Sequence, residues 1–472
     1  MIKKTSSDSL NQWIFIRRAV ENIEWSENAL LPVTLPYSQE LKREIIQCIE
    51  NAEKCLKICS FIITDDDIIK SLLNKLKTSD VAVFILTQLD KSKFSSSFLT
   101  DEEINENPSQ NHLDAISLLY DRGAHIRASD SVHSKFLIVD DKKTLLTSAN
   151  LTTPSLTSNP ETGVYLTGSS SEDASKVFDL VFRYGTTYNR FVSAGGGKRY
   201  VMQTTNELDK DWLPSRKNNF LFTLNDLNKS IYEELVNVID ASENQIILST
   251  YCVVSLENLP ELIDSLKSAI NRGVSIRVFC RGMNYRSDHL HGCTILAEMG
   301  CEIYGDLLNH SKGLSNGLNT IIFTANLDGR HGLLNGFEVG AHLAPEKGAV
   351  LKNFMEWQIN TAPYHFIKNP NRKEAFETYS WYCRTKNISI PEAYSTLHIK
   401  ANGLNKAERV HLEDQLFYGV YKGKDLLAID LNGKLFSTHT VFNFIYINPT
   451  NKKYFQSERY LVRYSEIIID YE

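Results

Sequence analysis

No run of 18 apolar residues occurs anywhere in this 472-residue chain, and its first residues, MIKKTSSDSLNQ, lack the apolar centre of a signal peptide. A spanning helix and a secreted product are therefore not expected, and the cytoplasm is the expected location. Basic charge is not in excess: the formal net charge is −6, so the overall character of many nucleic-acid-binding domains is missing and any such contact would need a local basic groove. The eight cysteines form no C-x2-C pair, and Cys48, Cys55, Cys59, Cys252 and Cys280 fall inside predicted helices or strands. A small buried hydrophobe is the usual role of Cys there, which argues against a disulfide scaffold. His289, His291 and Cys293 alternate like metal ligands, but neither a fourth ligand nor a counterpart of His291 and Cys293 in the other half accompanies them. No metal and no cofactor are assigned.

What the chain does have, it has twice. His133-Ser134-Lys135 is followed by Asn150 and Glu161; His310-Ser311-Lys312 is followed by Asn326 and Glu338. His310 and Glu338 each lie 177 residues beyond His133 and Glu161. Residues two apart on a strand face the same side, so each His and Lys is expected to reach one phosphate together. A hairpin of 133–139 with 144–150 sets His133 opposite Asn150 and Lys135 opposite Ser148 across a four-residue turn, Asp140 to Lys143. In the second half, 310–316 against 320–326 sets His310 opposite Asn326 and Lys312 opposite Thr324, with a three-residue turn. A third H-x-K, His398 to Lys400, has no matching Asn and Glu and is read as an accident on a C-terminal strand.

The repeat extends beyond the motifs. Each half runs helix, strand, helix, strand, then a helix ending in Gly, a short strand and the motif hairpin, as in LKREIIQCIENAEK-CLKICSFII and IYEELVNVIDASEN-QIILSTYCVV. Alternating strands and helices predict an α/β sheet with helices on both faces. The first half alone carries a polar insertion, KSKFSSSFLTDEEINENPSQN, expected to be a mobile loop near the site.

These residues resemble the HxKx4D signature of the phospholipase D superfamily, which His133, Lys135 and Asp140 match in full. The second copy departs from it, with Gly317 in place of the Asp. Tyrosyl-DNA phosphodiesterases of the same superfamily use His, Lys and Asn without that Asp. The resemblance implies two phospholipase D-like α-β-α lobes related by a pseudo-two-fold, and the aromatic runs after residue 385 add a small β-rich C-terminal domain. The expected division is 1–38 as an extension packing on the first lobe, 39–190 as that lobe, 191–219 as linker, 220–384 as the second lobe, and 385–472 as the β-rich domain.

The implied chemistry is metal-independent phosphodiester cleavage through a phosphohistidine. One imidazole attacks phosphorus, assigned to His133, while the other, His310, protonates the leaving oxygen. Lys135, Lys312, Asn150 and Asn326 bind the non-bridging oxygens, and Glu161 and Glu338 fix the histidine tautomers, each pairing by family analogy with the His of the opposite lobe. Asp140, Ser148 and Thr324 are supporting residues; Arg281 and Arg286, at a strand end of the second lobe, are candidate substrate ligands. A nuclease acting on DNA, or on RNA, is the leading reading, with the polar insertion and aromatic C-terminal domain as strand-holding surfaces. Alternatives are an intracellular phospholipase or phosphatidyltransferase, and a weakened module that binds phosphate or nucleic-acid ends. Bacterial relatives with this arrangement resemble restriction or phage-defence effectors, which makes a helicase or other defence-system component the implied partner. The site can form within one chain, and oligomeric state is left open.

Overall fold

The computed structural model describes residues 2–3, 13–94, 99–194, 197–202, 208–214, 219–282 and 286–371, then Glu374, Thr378 and strand segments between 397 and 470.

Two ten-stranded sheets carry the fold, and they have the same order. In the first, three parallel strands, Cys55–Cys59, Ala82–Thr87 and His125–Ala128, continue on the other side of Cys55–Cys59 into the antiparallel strands Phe136–Val139, Lys143–Thr147 and Glu161–Thr167. In the second, Gln245–Ser249, Ser275–Arg281 and Glu302–Asp306 are parallel, and Gly313–Ser315, Thr320–Phe323 and Phe337–His342 follow antiparallel. The parallel strands are nearly continuous apolar runs (AVFILT, SIRVFCR), as strands covered on both faces must be.

Three apolar clusters fill the layers. One lies within each lobe, and a central one draws on both sheets through Phe136, Ile138, Ile322 and Phe337. The central cluster also takes residues from the helices Ser169–Tyr184 and Pro345–Thr361, which follow the two glutamate strands. The lobes therefore share a dry core rather than a hinge, which fixes the motif of one against the motif of the other.

Two expectations about the chain's organisation are corrected. The N-terminal extension does not pack on the first lobe alone: Val33–Leu35 pairs with Glu161–Thr167 in the first sheet, whereas Trp13–Arg17 pairs with Tyr364–Lys368 at the edge of the second. Trp25 packs on Phe354 and Trp357 of the second lobe as well. Residues 191–219, expected to be linker, contribute Gly197–Met202, the outermost strand of the first sheet.

In the C-terminal region the described segments are strands, among them Leu397–Lys400, which carries the third H-x-K and pairs with Ala407–Val410. The rest of the expected β-rich domain lies outside the described residues, as do residues 95–98 of the polar insertion. No helix among the described residues is long and apolar enough to cross a membrane.

Candidate active site

The motif residues lie just ahead of their strands rather than in them. Ladder pairing begins at Phe136 and Gly313, so 133–135 and 310–312 are released to bond elsewhere. They bond to the opposite lobe: the backbone N–H of His133 donates to the Phe337 carbonyl (3.1 Å) and that of His310 to the Pro160 carbonyl (3.1 Å). Phe337 and Pro160 are the residues immediately before Glu338 and Glu161. Each backbone clasp thus delivers a histidine of one lobe to the carboxylate of the other.

The side chains complete the exchange. His133 Nδ1 lies 2.6 Å from Glu338 Oε1, and His310 Nδ1 lies 2.7 Å from Glu161 Oε1. The second oxygen of each carboxylate accepts a hydroxyl, from Thr324 to Glu338 and from Ser148 to Glu161, both at 2.5 Å. Lys135 Nζ donates to the His133 carbonyl, and Lys312 Nζ to that of His310 at 2.6 Å. An aromatic ring meets each imidazole edge-on, Phe61 at His133 and Tyr251 at His310, both with centroids 5.2 Å apart. The expected pairing across the lobes is what the side chains make.

The hairpin register differs from expectation by one residue in both lobes. Phe136 faces Leu146, and the backbone N–H of Thr147 donates to the Lys135 carbonyl, so Lys135 meets Thr147 rather than Ser148. Gly313 faces Ile322, which moves Lys312 off Thr324 in the same way. The turns explain it: Asp140 and Asp141 both take positive φ (53° and 59°) and leave a three-residue loop. In the second lobe Asn316 Oδ1 accepts from the N–H groups of Leu318 and Asn319, with Gly317 at φ 93°, and the loop spans four residues. Ser148 and Thr324 are thereby turned toward the glutamates.

Asp140 lies outside the site. Its carboxylate accepts from the backbone N–H groups of Glu53, Lys54 and Cys55 (2.7–3.2 Å), clipping the turn between the first helix and strand. Burial would raise its pKa, but these donors hold it below the ordinary value. Asn316 does comparable work in the second lobe, donating to the Val238 carbonyl at 2.9 Å.

Burial dominates the electrostatics. It pushes both imidazoles below their ordinary pKa, with Lys135 adding to the effect at His133 and Lys312 at His310. It lowers Lys135, and lowers Lys312 to about 8. The glutamates diverge. Burial raises Glu161 to about 7, whereas at Glu338 the opposing pull of His133 and Lys135 outweighs burial and holds the carboxyl at about 2. Glu338 is therefore ionised at neutral pH, and its carboxylate favours the tautomer of His133 that carries the proton on Nδ1.

A cavity of about 290 Å³ opens on this centre, lined by His133, Glu338 and Asn326 together with Gln88, Lys93, Asp130, Asn225, His331 and Asn335. His133 is 8 % exposed and His310 only 1 %, so the two histidines are not equally open to it. Asn150 is not among the lining residues; its Nδ2 donates to Glu103 Oε1 at 2.8 Å.

Arg281 and Arg286 do not line the cavity. Arg281 is buried against Tyr251 and paired with Glu102 across the lobes (2.9 Å), and Arg286 is paired with Asp288 at 2.7 Å. The metal-like alternation of His289, His291 and Cys293 is not gathered either, since His291 is exposed. Cys280, His289 and Cys293 do lie together, but His289 Nδ1 accepts from Val253 N–H (3.0 Å) and Nε2 lies 2.9 Å from the Arg281 carbonyl. Its first-lobe counterpart His112 repeats the first contact, on Ile63 N–H at 3.0 Å, so both are loop staples.

The polar insertion is docked rather than loose in its described part. Glu103, in the helix Asp101–Ile104, is 1 % exposed and reaches the site from it. The sequence carried one signal for it, the T-x-x-E of Thr100 to Glu103, which forms a reciprocal capping box: Thr100 N–H donates to Glu103 Oε2 and Glu103 N–H to Thr100 Oγ1.

Residues 45–183 match a family model described as cardiolipin synthase, PLD-like domain. None of the curated proteins matches the chain. Similar solved structures include phosphatidylserine synthase from Haemophilus influenzae Rd KW20, at 13% identity, covering 80% of this chain and 96% of that one, with a TM-score of 0.49. Polyphosphate kinase from Porphyromonas gingivalis is similar at 14% identity, with coverage of 76% and 55% and a TM-score of 0.46. Nuc, a phospholipase D family member from Salmonella typhimurium, is similar at 14% identity, with coverage of 31% and 95% and a TM-score of 0.26.

Proposed function

We propose that this chain, whose residues 45–183 match a PLD-like domain, is a metal-independent nuclease of the phospholipase D superfamily cutting phosphodiesters through a phosphohistidine. The observation that carries the phosphodiesterase reading is the exchange of His and Glu between the lobes, which sets two buried imidazoles with fixed tautomers beside two lysines.

His133 is the nucleophile. With Nδ1–H held by an ionised Glu338, the Nε2 lone pair forms the bond to phosphorus, and His133 is the histidine that opens to the cavity. As the P–O bond to the leaving group breaks, His310 gives that oxygen its proton. Burial alone favours neutral His310, and the negative charge of a bound phosphate favours its protonated form. His310 then takes a proton from the water that cleaves the P–N bond. Lys135, Lys312 and Asn326 hold the non-bridging oxygens, where charge grows in the five-coordinate state.

The nuclease reading draws on the polar side chains at the cavity, among them Gln88, Lys93, Asn225, Asn326, His331 and Asn335, which can meet a sugar–phosphate strand. The test is cleavage of end-labelled single- and double-stranded DNA in EDTA by wild type and His133→Ala. Cutting by wild type alone is expected. Hydrolysis of phosphatidylglycerol vesicles with intact DNA would replace the nuclease reading by the lipase one.

A further inference from the structure

The two asparagines of the site are treated differently. Asn326 faces the cavity, whereas Asn150 is covered by the carboxylate of Glu103. Glu103 Oε2 is occupied by the capping box, but Oε1 gathers three further donors: Asn150 Nδ2 (2.8 Å), Thr152 Oγ1 (2.9 Å) and Ser155 Oγ (3.1 Å). A carboxylate oxygen held by an amide and two hydroxyls, fully buried and within electrostatic reach of Lys135 and His310, has the environment a phosphate oxygen would have there. The adjacent carboxylate, Glu102, engages the buried Arg281 at 2.9 Å.

A helix cap alone does not account for this, because capping uses only one oxygen of Glu103 and none of Glu102. The second lobe has no equivalent insertion, which is why Asn326 reaches the cavity. The apolar contacts of the covering segment are few: Leu99, Phe94 and Ile104 form a small cluster with Phe61 and Ile62, separate from the three main cores, so the segment is held chiefly by the polar contacts of Glu102 and Glu103.

We propose that Glu102 and Glu103 are a built-in stand-in for phosphate, holding Asn150 and Arg281 until an anionic substrate displaces them. Asn150 and Arg281 are then substrate ligands after all, masked in the resting chain. The proposal rests on the phosphodiesterase reading and adds to it that the protein restrains its own site.

The test compares wild type, Glu103→Ala, Glu103→Gln and Glu102→Ala for binding of inorganic phosphate by calorimetry and for hydrolysis of bis(p-nitrophenyl) phosphate. Glu103→Ala is expected to bind phosphate about 10-fold more tightly and to lower KM by a similar factor without loss of kcat. Glu102→Ala, at a partly exposed position, is expected to act in the same direction by a smaller factor, and it guards against misfolding of the Glu103 variants. Loss of kcat in both Glu103 variants with unchanged phosphate binding would overturn the proposal and make Glu103 a positioning residue for Asn150. Hydrolysis by wild type identifies that result as a failure of the proposal alone; no hydrolysis and no phosphate binding in any variant would overturn it together with the phosphodiesterase reading.

Discussion

The two lobes agree in the contacts that carry the histidines and differ in what surrounds them. Both give a histidine to the opposite glutamate, both clasp that histidine by its backbone, and both set a hydroxyl on the far carboxylate oxygen. They differ in the hairpin turn, in the insertion over Asn150 and in the charge of the glutamate. Residues of the motif thus fall into two kinds, those gathered at the centre between the lobes and those that hold the scaffold. Gly317 in place of Asp is a change of scaffold, since Asp140 clips a turn outside the site and Asn316 holds the corresponding helix end. The second lobe keeps its own histidine, lysine, asparagine and glutamate at the centre.

Deleting each histidine is the strongest way to break the likeness between the lobes. His133→Ala and His310→Ala are each expected to lower kcat/KM by about 10³-fold or more, and the double variant to be little worse than either, as for groups acting as a unit. Substantial activity in His310→Ala would mean that the lobes are not partners.

Next in size is the divergence of the glutamates. Glu338→Gln removes the charge paired with buried His133 and Lys135 and is expected to cost about 3 kcal/mol in urea unfolding at pH 7. Glu161→Gln is expected to cost about 1 kcal/mol. The pH slopes have opposite signs. The depressed carboxyl of Glu338 contributes stability that is present above 4.5 and lost as pH falls toward about 2. The raised carboxyl of Glu161 contributes stability that is full below 4.5 and lost as pH rises through about 7. Each Gln variant should flatten its own window and leave the other.

The histidines sharpen the comparison kinetically. Burial holds both below the ordinary pKa, so the bell of kcat/KM against pH, measured in EDTA, is expected to peak on the acid side of 6.5. A peak above that value would contradict the buried, mutually shielded pair. The smallest expected effect is that of Asp140→Asn, which keeps a residue tolerant of positive φ but weakens the clip: about 1 kcal/mol of stability, with kcat/KM within about twofold.

Much of this centre was legible in the sequence because its signals are local and repeated. The spacing of His, Lys, Asn and Glu identified the residues that the folded chain brings together, and the alternating pattern predicted the sheet. The register was missed by one residue because positive φ at Asp140 and Asp141 shortens a turn whose length had been counted from sequence. The edge strands Trp13–Arg17 and Gly197–Met202 escaped because each completes a sheet through pairing that no local pattern encodes. Glu103 escaped because it lies in an insertion without a counterpart, so the repeat could not mark it. Arg281 stands at a strand end that the sequence shows, but its pairing with Glu102 depends on the other lobe.

The most direct test of the central claim is to quench an internally radiolabelled oligonucleotide with the protein in EDTA and map the covalent adduct by mass spectrometry. A phosphoramidate on His133 is predicted in the wild type and none in His133→Ala. A label on His310, or product without any adduct, would contradict the assignment.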